Sequence, residues 1–111
     1  MRVSILDLGT NTFNLLITEI TGGQEYKILC RSEIPVKLGK GGIDKKEIRP
    51  DAITRGITAL DKHMQVSADH GAEKIIACAT SAIRTARNSD HFLKSIREKY
   101  GIDVGVISGE R

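Results

Sequence analysis

Cysteine is scarce in this chain, and what there is forms no pattern. Cys30 and Cys78 lie far apart in apolar contexts, with neither a C-x-x-C pair nor a histidine at ligand spacing. That excludes a disulfide framework and a zinc knuckle, and both are expected as small buried hydrophobes in a reducing compartment. His63, His70 and His91 show no ligand spacing either. His63 and His70 can share a helix face, but no cysteine or carboxylate joins them on it. Long apolar runs are missing as well. Asp7 breaks the only early one, so neither a signal peptide nor a membrane-spanning helix is expected, and a cytoplasmic location is the default. Charge of one sign is not in large excess: a net +3 argues neither for nor against nucleic acid. Internal repeats, linkers and low-complexity segments are absent from the sequence.

What is present suits one folded domain. A chain of 111 residues, 40% hydrophobic and 28% charged, is long enough for one core and has the composition of an ordinary soluble protein. Local basic clusters stand out more than the overall balance. Lys37, Lys40, Lys45, Lys46 and Arg49 crowd one glycine-containing stretch, with only Asp44 and Glu47 in opposition, and Arg84 and Arg87 form a second group. Solvated surface is the usual reading of such clusters, and an anionic partner the other.

Arg2–Leu8 and Asn14–Ile20 read as short strands flanking a small polar turn, and TGGQ (residues 21–24) is a hairpin signal. Glu25–Leu38 alternates as a third strand, with Tyr26, Ile28 and Cys30 on one face and Lys27, Leu29 and Arg31 on the other. Pro35 predicts an edge position or a bend for this strand. The glycine- and lysine-rich stretch Gly39–Pro50 reads as a loop. Then the period changes. Ile53, Ile57, Leu60 and Met64 form a helical stripe entered at Pro50 and stopped near Gly71, opposite Arg55, Asp61, Lys62 and Gln65. KIIACAT (residues 74–80) is a continuous apolar run suited to a strand buried on both faces. A second helix carries Phe92, Leu93, Ile96 and Tyr100 on one stripe and stops at Gly101, before a last strand over residues 103–108. The order β-β-β-α-β-α-β predicts an α/β fold: a mixed sheet, antiparallel at one end and parallel at the other, with helices packed on it.

Three segments can carry chemistry. The first is Asp7 at a strand end, followed by Gly9, Thr10, Asn11 and Thr12. Small turn residues let backbone amides approach an anion, and the carboxylate offers a hard oxygen to Mg²⁺. The G-x-x-x-x-G-K-[ST] pattern is absent, and taken alone D-x-G-T-x-T favours a plain hairpin corner. The second is ATSAIRTARN (residues 79–88), where a buried strand ends and Ser81 can cap a helix with Arg84 in its first turn. A cation there opposes the helix dipole unless an anion is bound or an ordinary ion pair forms, and Arg87 and Asn88 lie within reach of Arg84. The third is VISGER (residues 106–111), another strand end with a carboxylate, Glu110, whose usual reading is solvated surface. All three occupy carboxyl ends of strands, where sheets of this kind collect ligands.

DLGTNTFNLLI, VKLGKGG, AITRGITAL, ATSAIRTARNSDHF and VISGER, in this order and spacing, resemble the exopolyphosphatase/guanosine-pentaphosphate phosphohydrolase family along essentially the whole chain. The resemblance implies a ribonuclease-H-like lobe of the actin-like ATPase superfold, two of which close over a phosphate chain in that family. It implies removal of terminal phosphate from inorganic polyphosphate or guanosine pentaphosphate, with Mg²⁺ as cofactor, Asp7 as the metal-associated carboxylate and Gly9–Thr12 as the phosphate-holding turn. Arg84 and Asn88 match the T-x-x-x-R-x-x-x-N signature that lines the substrate channel, while no specific role passes to Lys40 and its neighbours. The family's catalytic base follows S-G-x-x, and here Ser108–Arg111 supplies S-G-x-x and the sequence stops, so Glu110 is not that base. The second glycine-rich phosphate motif, D-x-G-G-G-S, is absent too. The chain therefore reads as an N-terminal lobe of a longer enzyme, inactive alone, whose parent is a homodimer with polyphosphate or guanosine tetra- and pentaphosphate as partners and no nucleic-acid or membrane partner. A non-catalytic lobe that binds these phosphates and an ATP-dependent kinase of the same superfold are the alternatives.

Overall fold

The computed structural model describes residues 1–23, 25–38, 50–80, 89–102 and 104–107. In chain order these form β1 (Arg2–Leu8), β2 (Thr12–Ile20), β3 (Tyr26–Pro35), α1 (Pro50–Asp69), β4 (Lys74–Thr80), α2 (Ser89–Tyr100) and β5 (Val104–Ile107). The element order is the expected one. One five-stranded sheet runs β3-β2-β1-β4-β5, so β3 and Pro35 lie at an edge. The hairpin-linked pairs β1·β2 and β2·β3 are antiparallel, and the pairs β1·β4 and β4·β5 are parallel, as connections through helices require.

Strand register sorts the side chains. Leu6 pairs with Leu15 and Ala77, and Leu8 with Phe13 and Ala79, all of them buried on the face that carries the helices. Ser4, on the same face, donates or accepts a 2.8 Å hydrogen bond with Ser67 of α1. Phe92 and Ile96 of α2 complete this core as expected, with Leu93 and Tyr100 packed beside them. The helices are also joined at their edge, where the Tyr100 hydroxyl donates to Asp61 Oδ1 at 2.5 Å and Lys99 Nζ lies 3.1 Å from the same oxygen.

Four expectations are corrected. First, the buried line of α1 is Ala52, Gly56, Ala59, Leu60, His63 and Ser67, while Ile53, Ile57 and Met64 only flank it. Close packing selects small residues there: a Cβ on Gly56 would lie 3.2 Å from Phe92 and 3.4 Å from Phe13. Second, the alternation of β3 is broken by a bulge. Ile28 pairs with Thr18 but Cys30 with Ile17, so Cys30 faces the helices while Tyr26, Ile28 and Arg31 share the other face. Third, β4 is not buried on both sides, because Ile76 is 40% exposed. Two right-handed crossovers advancing the same way across a sheet place both helices on one face. The opposite face, with Ile20, Tyr26, Ile28 and Ile76, stays without a helix among the described residues. Fourth, Cys30 and Cys78 are only partly buried. The loop expected over residues 39–49, with Lys40, Lys45, Lys46 and Arg49, lies outside the described residues.

Candidate functional site

The corner between β1 and β2 is built from backbone hydrogen bonds. The Gly9 amide donates to the Thr12 carbonyl at 3.1 Å, and a Cβ at Gly9 would come within 3.0 Å of that oxygen. A side chain at Gly9 would need the Thr12 carbonyl to give by a few tenths of an ångström, so the tight corner favours glycine. β2 begins at Thr12 rather than Asn14, so Thr12 belongs to the strand and Thr10 and Asn11 form the tip. The tip's carbonyls are engaged: Leu38 N donates to Thr10 O at 2.7 Å, and Val36 N and Lys37 N donate to Asn11 O at 2.8 and 3.0 Å. Arg55, expected on the solvated side of α1, holds the same segment from the other side. Its Nε donates to Val36 O at 2.7 Å and its Nη2 to Lys37 O at 2.9 Å. The amides of Thr10 and Asn11 donate to no carbonyl among the described residues. Acceptors are spent on the chain and donors remain, the polarity of an anion cradle.

Asp7 stands exposed at the carboxyl end of β1, paired laterally with Asn14 on β2 and Cys78 on β4. With Ile5, Asn14, Arg31 and Glu33 it borders a cavity of about 690 Å³ on the helix-free face. Asn14 was missed in the sequence, although an amide inside the apolar run TFNLL is a visible signal; its Oδ1 is buried without a hydrogen-bond partner among the described residues. No group of three or more His, Cys, Asp or Glu side chains among the described residues forms a ready-made metal cage. A single exposed carboxylate beside an anion cradle instead fits Mg²⁺, which takes one or two carboxylates and completes its shell with water and phosphate oxygens.

Arg84, Asn88, Ser108, Glu110 and Arg111 lie outside the described residues. The strands that lead to them do reach the site's level. Leu8 pairs with Ala79, and Thr80 with Ile107, so β1, β4 and β5 open at one edge of the sheet.

Behind the corner, His63 is fully buried and its Nε2 bonds the Phe13 carbonyl at 2.8 Å. Donation to a carbonyl puts the proton on Nε2 and leaves Nδ1 buried without a partner among the described residues. Burial lowers the His63 pKa below its usual 6.5, with the Phe13 hydrogen bond opposing in part. A depressed folded-state value means that the unfolded chain takes up the proton first, so this stability is present above about pH 6.5 and lost as pH falls below it. The urea midpoint is expected to drop between pH 7 and pH 5, and His63→Gln, which keeps a donor for Phe13 O, is expected to flatten that drop. Equal slopes in the two chains would contradict this. His70, by contrast, bonds the Val66 carbonyl through Nδ1 and takes no part in the corner.

The fold has counterparts among known proteins. The profile of the Ppx/GppA phosphatase family matches residues 16–111. A solved structure of an exopolyphosphatase from Cytophaga hutchinsonii is 37% identical, with TM-score 0.92 over 99% of this chain and 35% of its own. The Aquifex aeolicus Ppx/GppA family member is 29% identical, with TM-score 0.91 over 99% of this chain and 36% of its own. Exopolyphosphatase 1 of Mycobacterium tuberculosis is 26% identical over 99% of this chain and 32% of its own length. The chain thus spans about a third of the length of these relatives. Its sheet is the expected ribonuclease-H-like lobe of the actin-like ATPase superfold. No helix among the described residues is long and apolar enough to cross a membrane. By sequence and by fold, the chain belongs to the Ppx/GppA phosphatase family.

Proposed function

We propose that these 111 residues are the N-terminal phosphate-binding lobe of a cytoplasmic hydrolase that removes terminal phosphate from inorganic polyphosphate or guanosine pentaphosphate. The observation that carries this reading is the corner itself: amides at Thr10 and Asn11 with no carbonyl partner among the described residues, a close approach at Gly9 that favours glycine, and the exposed Asp7 carboxylate beside them. In the assembled site, Asp7 would hold Mg²⁺, and the tip amides would bind phosphate oxygens. Arg84 and Asn88, as the family signature suggests, would line the channel that the chain of phosphates enters. The metal supplies positive charge against the phosphoryl oxygens, where charge spreads during in-line attack by water. The base that activates this water would come from outside residues 1–111, and so would the lobe that closes over the substrate. The parent is proposed to act as a homodimer.

Calorimetric titration of the 111-residue chain with tripolyphosphate, with and without Mg²⁺, tests the lobe's role. Binding that strengthens with Mg²⁺, with no release of inorganic phosphate, is the expected result. Failure to bind in Mg²⁺ would overturn phosphate binding by this lobe. Steady phosphate release abolished by Asp7→Ala would overturn its dependence on a second lobe.

A further inference from the structure

Lys37 has an unusual backbone. Its φ of 48° makes it the single non-glycine residue with positive φ among the described residues. That region is sparsely populated by L-residues other than Asn and Asp, and lysine has no side-chain device for stabilising it. A residue persists there only where its surroundings over-determine it, and such positions concentrate at ligand clamps. The surroundings of Lys37 fit that description. Its amide donates to Asn11 O at the tip of the corner (3.0 Å), and its carbonyl accepts from Arg55 Nη2 (2.9 Å). Its neighbours are tied just as firmly, Val36 to Asn11 O and Arg55, Leu38 to Thr10 O. Val36 and Leu38 are both fully buried, whereas Lys37 between them is exposed. Two anchored apolar residues thus hold one cationic residue out from the surface, with its backbone bonded directly to the proposed phosphate turn.

We infer that Lys37 is a substrate-binding residue whose ammonium group contacts the phosphate chain held at residues 9–12. Lys37 is exposed, and no ion pair or side-chain hydrogen bond engages its ammonium among the described residues. Its flexible four-carbon stem starts from a backbone bonded to Asn11 O, which places the ammonium's root next to the tip amides. Arg55 acts differently. Its guanidinium is occupied by Val36 O, Lys37 O and Asp51, so it positions the segment and leaves the anion to Lys37.

This inference rests on the phosphate-binding reading, and the test separates the two. Tripolyphosphate affinity in Mg²⁺ is measured by calorimetry for the wild-type chain, Asp7→Asn, Lys37→Gly and Lys37→Arg, with the melting temperature of each. Glycine suits φ 48° better than lysine does, so Lys37→Gly is expected to melt no lower than wild type. Its affinity is nevertheless expected to fall about tenfold, the loss of one charge-assisted contact. Lys37→Arg, which keeps the charge, is expected to stay within about threefold of wild type, a difference of under 1 kcal/mol. Wild-type affinity in Lys37→Gly, alongside weakened Asp7→Asn, would overturn the role of Lys37 and leave the lobe's role standing. Equal losses in Lys37→Gly and Lys37→Arg would also overturn it, since charge would not be what the site reads. Absence of binding by the wild-type chain would overturn both.

Discussion

Replacing Asp7 with asparagine is expected to remove the Mg²⁺-dependent part of phosphate binding without unfolding the chain. The carboxylate is exposed, and no hydrogen bond or ion pair to it occurs among the described residues. The isosteric amide therefore breaks no native contact, and the melting temperature is expected to hold within about 2 °C, as for a surface substitution away from special features. What changes is charge. An amide oxygen is a poor ligand for a hard cation that dehydrates reluctantly, so the side chain at position 7 would no longer hold Mg²⁺. In an enzyme carrying this lobe, phosphate release is expected to drop about 10²- to 10³-fold, the usual cost of deleting one preorganised electrostatic group. The sign reverses without metal: a carboxylate beside an anion cradle repels phosphate, so Asp7→Asn is expected to bind tripolyphosphate slightly more tightly than wild type when Mg²⁺ is chelated. Titrations with Mg²⁺ and with chelator read both effects. Unchanged affinity in Mg²⁺ would show that Asp7 holds no metal.

The position of Asp7 was legible because it depends on local rules. An apolar run that ends in a carboxylate and then Gly9-Thr10-Asn11-Thr12 places a corner there whatever the tertiary fold, and the period change after Pro50 marks the helix in the same way. The features that escaped depend on packing across the sheet. On α1 the apolar stripe Ile53–Ile57–Leu60–Met64 marks the buried face by hydrophobicity, but of these only Leu60 is buried, and the helix seats on it together with Ala52, Gly56, Ala59, His63 and Ser67. Hydrophobicity ranks small and polar residues low, and at Gly56 the reason is the proximity of Phe13 and Phe92 to the helix backbone. Likewise the bulge at Leu29 moves Cys30 to the helix face, a slip that no alternation count detects. Arg55 and Lys37 carry charge, which sequence reading assigns to solvated surface by default. Their role at the corner becomes visible through carbonyls of residues 11, 36 and 37 that only the folded chain brings together. Of the proposed site, the turn and its carboxylate were therefore readable, and the backbone clamp that orients them was not.

Phe13→Ala is expected to be the most destabilising substitution among the residues next to the site. Phe13 is fully buried, and its ring lies against Gly56, which has no side chain of its own to fill the space left behind. Truncating a buried phenylalanine costs about 3–5 kcal/mol, increasing with the cavity that remains, and the missing side chain at Gly56 argues for the upper end. Against a stability of about 5–15 kcal/mol for a domain, that leaves a narrow margin. Phe13→Leu keeps most of the volume and is expected to cost about 1–2 kcal/mol. Urea denaturation measures both, and an unchanged slope would show that the native state has lost stability rather than compactness. The corner beyond Phe13 is held by other bonds: Gly9 to Thr12, the β3 tail to Thr10 and Asn11, and Arg55 to that tail. None of them involves the Phe13 ring. At low temperature, where Phe13→Ala remains folded, its tripolyphosphate affinity per folded molecule is therefore expected to match wild type. Asp7→Asn would lose binding and keep stability, and Phe13→Ala would lose stability and keep binding. A folded Phe13→Ala chain that failed to bind would mean instead that the core ring sets the geometry of the cradle, making the corner an extension of the core rather than a self-supporting clamp.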